Sequence, residues 1–220
     1  MSASRALPNG LPRPRELLAR LALATLAILA LTYLFQRPLV RVVIPVISTA
    51  VRILDDEFIT VSVDLTSDGG EDRLRYRANL ARPVQIGGQT RYPFGWQGMP
   101  LGGFEVNLTV GSVVEYGSLM LILVAAWPAP SPRIWALRLG VCVPLLALLL
   151  IMNVAFTLVA ELRHAYRADV PNAPLDPWLL WSRFLMDGGG AAIAIAFAAL
   201  ALAAGAWLER RISPGTRFAG

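Results

Sequence analysis

Residues 134–160 read IWALRLGVCVPLLALLLIMNVAFTLVA, and this run decides the class of fold. It exceeds the ~20 residues that a helix needs to cross the ~30 Å hydrocarbon core of a bilayer. Three further apolar runs lie at residues 17–35, 110–127 and 188–208. The chain has 220 residues, and 55% of them are hydrophobic, which is typical of a multi-span membrane protein rather than a soluble domain. The sequence therefore predicts four transmembrane helices.

The distribution of arginine predicts the orientation of these helices. The segment before the first run, the loop 128–133 and the tail 209–220 are basic, whereas segments 37–109 and 161–187 carry nearly balanced charges. Because positively charged loops stay in the cytoplasm, we expect a multi-pass protein of a bacterial inner membrane with both termini cytoplasmic. Arginine on both sides of the apolar runs argues against nucleic acid as a partner. The lipid bilayer is the first expected partner.

The chain between the first two apolar runs has the alternation of β-strands. Apolar and polar residues alternate around residues 59–65, 74–80 and 104–110, which predicts three antiparallel strands with one buried face. Asp68-Gly69-Gly70 predicts a turn between the first two strands. On the orientation above, this small sheet lies in the periplasm.

The alternation also predicts which face of the sheet is buried. In the first strand that face carries Ile59, Val61, Val63 and Leu65. A sheet of three strands is stable only if its apolar face is covered. Residues 39–54 are apolar but short for a span, and they are the expected cover, as a helix lying on the membrane or under the sheet.

Two features of this outer segment each have a functional and a structural interpretation. The loop with Tyr92, Phe94 and Trp96 is either a recognition loop for a peptide or lipid headgroup, or an aromatic loop resting at the membrane interface. Arginine alternates along the second strand at Arg73, Arg75 and Arg77. That stripe is either a site for an anionic partner or a solvated strand face.

Five polar side chains from separate predicted elements fall near one depth, in the outer half of the bilayer. They are Glu115, Asn153, Arg183, Asp187 and His164. Ionisable groups at this depth usually face protein or water, so a polar cluster open to the outside is one hypothesis. Interhelical hydrogen bonding with ordinary interfacial charges is the other. Cys142 lies 11 residues before Asn153, about 16 Å along a helix, and His164 is farther still, so a Cys–His pair is not supported. No catalytic residue, cofactor or metal site is predicted.

The order of residues in two of these helices resembles the core of exosortases and archaeosortases, membrane-embedded cysteine transpeptidases that process C-terminally anchored proteins. The resemblance is carried by Val113-Val114-Glu115-Tyr116-Gly117-Ser118, by the basic turn Ser131-Pro132-Arg133 and by the helix from Leu145 to Asn153. It puts the family's cysteine on Glu115 or Tyr116, its asparagine on Asn153 and its arginine on Phe156. The nucleophile and one essential cation are therefore missing from this chain. Arg183 or His164 falls near the family's last basic position.

The layout of four spans with a β insert after the first is similar to that of small exosortase-associated membrane proteins, in particular the exosortase H-associated kind. The resemblance implies a non-catalytic accessory protein of an exosortase-type protein-sorting system, which binds the sorting enzyme or its C-terminally anchored substrate. Two alternatives stay open: a membrane enzyme that uses the outer-face carboxylates Glu115 and Asp187, and a small proton-coupled transporter.

The expected fold class is membrane α-helical, with four transmembrane helices and an extracytoplasmic antiparallel insert of about three strands. Residues 1–36 form the cytoplasmic N-terminus and first span, and residues 37–109 form the periplasmic amphipathic segment and sheet. Residues 110–208 form a bundle of three helices, and residues 209–220 form a cytoplasmic tail.

Overall fold

The computed structural model describes residues 14–69, 71–86, 88–93, 103–129, 131–167 and 176–212. Its elements, in chain order, are α1 (Pro14–Leu54), β1 (Phe58–Asp68), β2 (Glu71–Leu80), β3 (Val84–Ile86), β4 (Gln89–Arg91), β5 (Phe104–Thr109), α2 (Val110–Ala126), α3 (Pro132–Leu150), α4 (Phe156–Arg167), α5 (Pro177–Phe184) and α6 (Gly190–Ile212). Two π-helical turns, Ile151–Ala155 and Leu185–Gly189, join α3 to α4 and α5 to α6.

Three helical stretches are long and apolar enough to cross a membrane. They are Pro14–Leu54, Pro132–Ala165 and Pro177–Glu209. The remaining apolar run forms α2, which is shorter, with 17 residues. It follows β5 directly, and Thr109 caps it because its side-chain oxygen accepts a hydrogen bond from the backbone N–H of Ser112. The chain is thus mostly helical with a small antiparallel sheet, as the sequence predicts for a helical membrane protein.

Helix α1 continues through Gln36-Arg37-Pro38, beyond the predicted end of the first span at residue 36. Its second half carries a buried stripe of Val40, Ile47, Ala50 and Val51, spaced as on one face of a helix. This stripe packs in one core with the sheet residues Leu74 and Tyr76. Of the two predicted positions for residues 39–54, the one under the sheet is therefore observed, as an extension of the first helix.

The sheet has the order β1-β2-β5, with β2 in the centre and both neighbours antiparallel to it. The alternation in β2 is confirmed, because Leu74, Tyr76, Ala78 and Leu80 are all buried. The hairpin turn is also where the sequence predicts it, with Asp68 paired to Glu71 and Gly69 at φ 59°. Glycine adopts this left-handed conformation without steric cost.

The predicted buried face of β1 is wrong at Ile59 and Val61. A bulge between Thr60 and Ser62 inserts one unpaired residue, and one extra residue moves the side chains before it to the opposite face. Ile59 and Val61 are consequently 56% and 57% exposed. Phe58 and Thr60 turn inward in their place; Phe58 is buried, and the Thr60 and Tyr76 hydroxyls lie 2.6 Å apart.

The arginine stripe of β2 faces acidic residues of this chain. Glu105 of β5 lies between Arg75 and Arg77, with N–O distances of 3.2 and 3.0 Å. At the hairpin tip, both carboxylate oxygens of Asp72 accept hydrogen bonds from Arg37 of α1 at 2.6 Å. These bonds lower the pKa of Asp72 to about 2. The stripe is therefore a half-exposed, internally paired strand face that ties the sheet together.

The segment after β2 is predicted to be a loop, but it contains a short antiparallel ribbon. Strands β3 and β4 pair from Val84–Arg91 to Ile86–Gln89. Tyr92 follows this ribbon and is exposed. Phe94 and Trp96, the other two aromatic residues of the predicted recognition loop, lie outside the described residues.

Candidate functional site: a polar cavity and an adjoining crevice

A cavity of about 110 Å³ lies where the sheet meets the helices. Leu108 of β5 lines it on the sheet side, and Glu115 and Tyr116 line it from α2. Asn153 and Leu185 contribute from the two π-helical turns. The β5–α2 segment and the two π-helical turns, which are far apart in sequence, therefore meet around one small space.

Asn153 is a buried polar residue in the lining of this cavity. Its side chain is buried, with 8% exposure, and its amide N–H group donates to the Leu149 carbonyl at 2.9 Å. Its Oδ1 atom has no hydrogen-bond partner among the described residues. A buried acceptor without a partner is destabilising, so this atom is available to a donor that enters the cavity.

Gly190 makes this arrangement possible. A Cβ atom at that position would lie 2.5 Å from the Tyr116 ring and 2.9 Å from Asn153 Oδ1. Only a residue without a side chain lets the first turn of α6 approach both groups so closely. Positions 116, 153 and 190 are thus one packed unit.

Both π-helical turns contribute residues to the lining of the cavity. Such turns insert one extra residue into a helix and are frequent at functional sites. The second turn contains Asp187 and Gly188 with non-helical dihedral angles, and Gly188 has φ 102°, which favours glycine. The Tyr116 hydroxyl donates to the carbonyl of Leu185 at 3.2 Å, at the start of that turn. Tyr116 therefore links α2 to the interrupted helix.

A larger crevice of about 660 Å³ adjoins the cavity, between α1 and α2. Glu115 and Tyr116 line both spaces. Most of the crevice is apolar, with side chains such as Leu29, Leu119 and Ile122. The hydroxyls of Thr32 and Ser118, which also line the crevice, lie 3.0 Å apart and join the two helices.

The structure brings together two of the five predicted cluster residues, Glu115 and Asn153. Arg183, Asp187 and His164 are exposed and line neither the cavity nor the crevice. His164 is 11 residues beyond Asn153, which corresponds to ~16 Å along the helix. Cys142 is buried in a separate apolar core with Met120 and Val124.

Sequence reasoning missed a buried ionic network at the other end of α4. Arg163 donates to Asp55, which follows α1, and lies 3.7 Å from Glu57 and 3.9 Å from Asp176. Arg167 binds Asp176 at 2.8 Å. The side chains of Asp55 and Asp176 are each only 1% exposed. The spacing of two arginines by four residues was the available signal, since it places both on one helix face.

Comparison with known proteins adds no relative. No family model, curated protein or solved structure matches this chain. In the part of the chain that the structure describes, no three His, Cys, Asp or Glu side chains are grouped as metal ligands.

Proposed function

We propose that this chain is a non-catalytic accessory protein of the bacterial inner membrane that serves an exosortase-type protein-sorting system. It binds the sorting enzyme or the C-terminally anchored substrate and does not cleave the substrate itself. The observation that carries the proposal is the meeting of Glu115, Tyr116 and Asn153 on one cavity. These are the positions onto which the resemblance puts the family's cysteine and asparagine.

The third position of the motif supports a binding role over a catalytic one. Phe156 stands where the resemblance puts an arginine, and its ring centroid lies 5.0 Å from that of Trp178 and 6.0 Å from that of Trp181. It contributes packing between α4 and α5 in place of a cation. An aromatic side chain in place of a cation at this position supports a partner-binding role for the cavity.

The same proposal includes four spans with the sheet in the periplasm. Helix α2 has 17 residues and is ~25 Å long at 1.5 Å per residue, and a short span is accommodated by local thinning of the bilayer. Arg138, near the start of α3, donates a hydrogen bond to the Pro128 carbonyl at 2.9 Å. Arg133 lies between these two residues in the sequence. A basic loop of this kind belongs on the cytoplasmic side.

Cysteine labelling tests this topology. In a Cys142→Ala background, we expect Ser67→Cys, at the exposed hairpin tip, to react with a membrane-impermeant thiol reagent added from the periplasmic side. Ser131→Cys, in the loop before α3, should react only after the membrane is opened. Labelling of Ser131→Cys and protection of Ser67→Cys in sealed cells would overturn the orientation.

Photo-crosslinking tests the accessory role. A photoreactive amino acid at Ser112, on the cavity wall, is expected to capture the exosortase-type enzyme or its anchored substrate in cell membranes. The matched control carries it at Val143, which is 66% exposed on α3 away from the cavity. Deletion of the gene should leave the substrate unprocessed although the enzyme is present. Cleavage of the substrate by this chain alone, purified, would contradict the proposal.

A further inference from the structure

We propose that the cavity and the crevice together form a binding site for one aminophospholipid of the outer leaflet. Its primary ammonium group binds Glu115 and Asn153, and an acyl chain lies in the crevice between α1 and α2. The two spaces share Glu115 and Tyr116. A single amphiphilic molecule can therefore occupy both.

The polar end of the site consists of hydrogen-bond acceptors. Asn153 Oδ1 has no hydrogen-bond partner among the described residues. Glu115 is exposed, and no hydrogen bond or salt bridge joins it to another residue in that part of the chain. At the membrane depth that the four-span arrangement gives Glu115, an ionised carboxylate is costly unless it meets a cation or another polar partner. A primary ammonium has one positive charge and three N–H donors, so it can pair with the carboxylate and donate to the amide oxygen, both of which line the cavity. A glycerol headgroup brings no cation, and a choline headgroup brings no N–H donor.

The apolar end of the site suits a hydrocarbon chain. The crevice follows α1 from Leu29 to Gln36, a length of ~10 Å at 1.5 Å per residue. This stretch ends immediately before Arg37, where the apolar run of α1 ends. Glu115 lies five residues after the start of α2, which is ~7.5 Å along the helix. In the four-span arrangement the carboxylate therefore lies in the outer half of the bilayer, just inside the headgroup region, with the crevice beside it.

A hydrogen bond between the two helices that line the crevice favours an acyl chain over a helix of a partner protein. An α-helix with its side chains is ~10–12 Å in diameter. The Thr32 and Ser118 hydroxyls, which both line the crevice, lie only 3.0 Å apart. A partner helix would have to break that bond and separate α1 from α2, whereas an acyl chain would not.

Lipid retention in nanodiscs tests the site. The full chain is reconstituted in an equimolar mixture of phosphatidylethanolamine, phosphatidylcholine and phosphatidylglycerol with identical acyl chains. Lipid that stays bound on ejection from the nanodisc is then measured by native mass spectrometry. We expect retained phosphatidylethanolamine to exceed each other lipid by about tenfold, which corresponds to ~1.4 kcal/mol, because only its headgroup brings both a cation and N–H donors.

Three variants locate the binding. Glu115→Gln should reduce the preference below about twofold, and Leu29→Trp, which fills the crevice and keeps the carboxylate, should reduce total retention. The matched control is Asp187→Asn, a carboxylate that lines neither space, and it should keep the full preference. Equal retention of the three lipids by the unmodified chain would overturn the proposal, as would a preference that Glu115→Gln leaves intact. Capture of an Arg- or Lys-bearing transmembrane peptide through Glu115, without lipid preference, would also overturn it. These readouts do not depend on the sorting role.

Discussion

Replacing Arg163 by methionine is expected to lower the free energy of unfolding by about 3–5 kcal/mol. Methionine keeps the unbranched apolar stem of the arginine side chain. The buried carboxylate of Asp55 loses its guanidinium partner, whereas the buried carboxylate of Asp176 keeps Arg167. An uncompensated buried charge is more costly than a missing attraction. We expect the loss as a lower midpoint in the denaturation of the detergent-solubilised protein, followed by tryptophan fluorescence.

An exposed ion pair provides the matched control for Arg163→Met. Arg82 lies 3.3 Å from Asp56, and the two side chains are 66% and 83% exposed. Arg82→Met should change the free energy of unfolding by less than about 1 kcal/mol, because exposed pairs contribute little. Arg163→Lys should fall between the two variants, since it keeps the charge but loses the planar fork that reaches several carboxylates. Equal midpoints for Arg163→Met and Arg82→Met would disprove the role of the buried network.

The sequence predicted the sheet well where a single period persists. Along β2 the alternation is unbroken, and every apolar position is buried. Along β1 the bulge after Thr60 interrupts the pairing, and nothing in the alternation of Ile59 and Val61 marks it. Bulges are set by how two strands fit together, so a pattern in one strand does not reveal them.

The candidate site was predictable only in part. Counting residues along separate helices put Glu115 and Asn153 at one level, and both line the cavity. It could not say which side of its helix His164 or Arg183 faces, because that depends on how the helices pack. The two π-helical turns shift this rotation further, and they arise from tertiary packing. The network around Arg163 was missed for a related reason: Asp55 is 108 residues away in sequence.

Gly190→Ala is the second substitution with a large expected effect. It should lower the stability of the protein, whereas the same change at an ordinary helix position raises it. In an exposed helix interior, alanine is more favourable than glycine by ~1 kcal/mol. At position 190 the added methyl group would overlap the Tyr116 ring at 2.5 Å, and overpacking of this kind costs typically ~1–3 kcal/mol. We expect a net loss of stability, measured by the same denaturation assay.

Gly140 of α3 is the internal comparison, because it is exposed and a Cβ atom there would meet nothing within 4 Å. Gly140→Ala should therefore leave the stability unchanged or raise it, by up to ~1 kcal/mol. Combining Gly190→Ala with Tyr116→Ala removes the ring that the methyl group would strike. The double variant should consequently be more stable than the sum of the two single effects predicts, by about 0.5–3 kcal/mol, as for residues in direct contact. Strictly additive changes in the free energy of unfolding would mean that Tyr116 does not pack against α6 at Gly190. Tyr116 would then not be held beside Asn153 in the lining of the cavity.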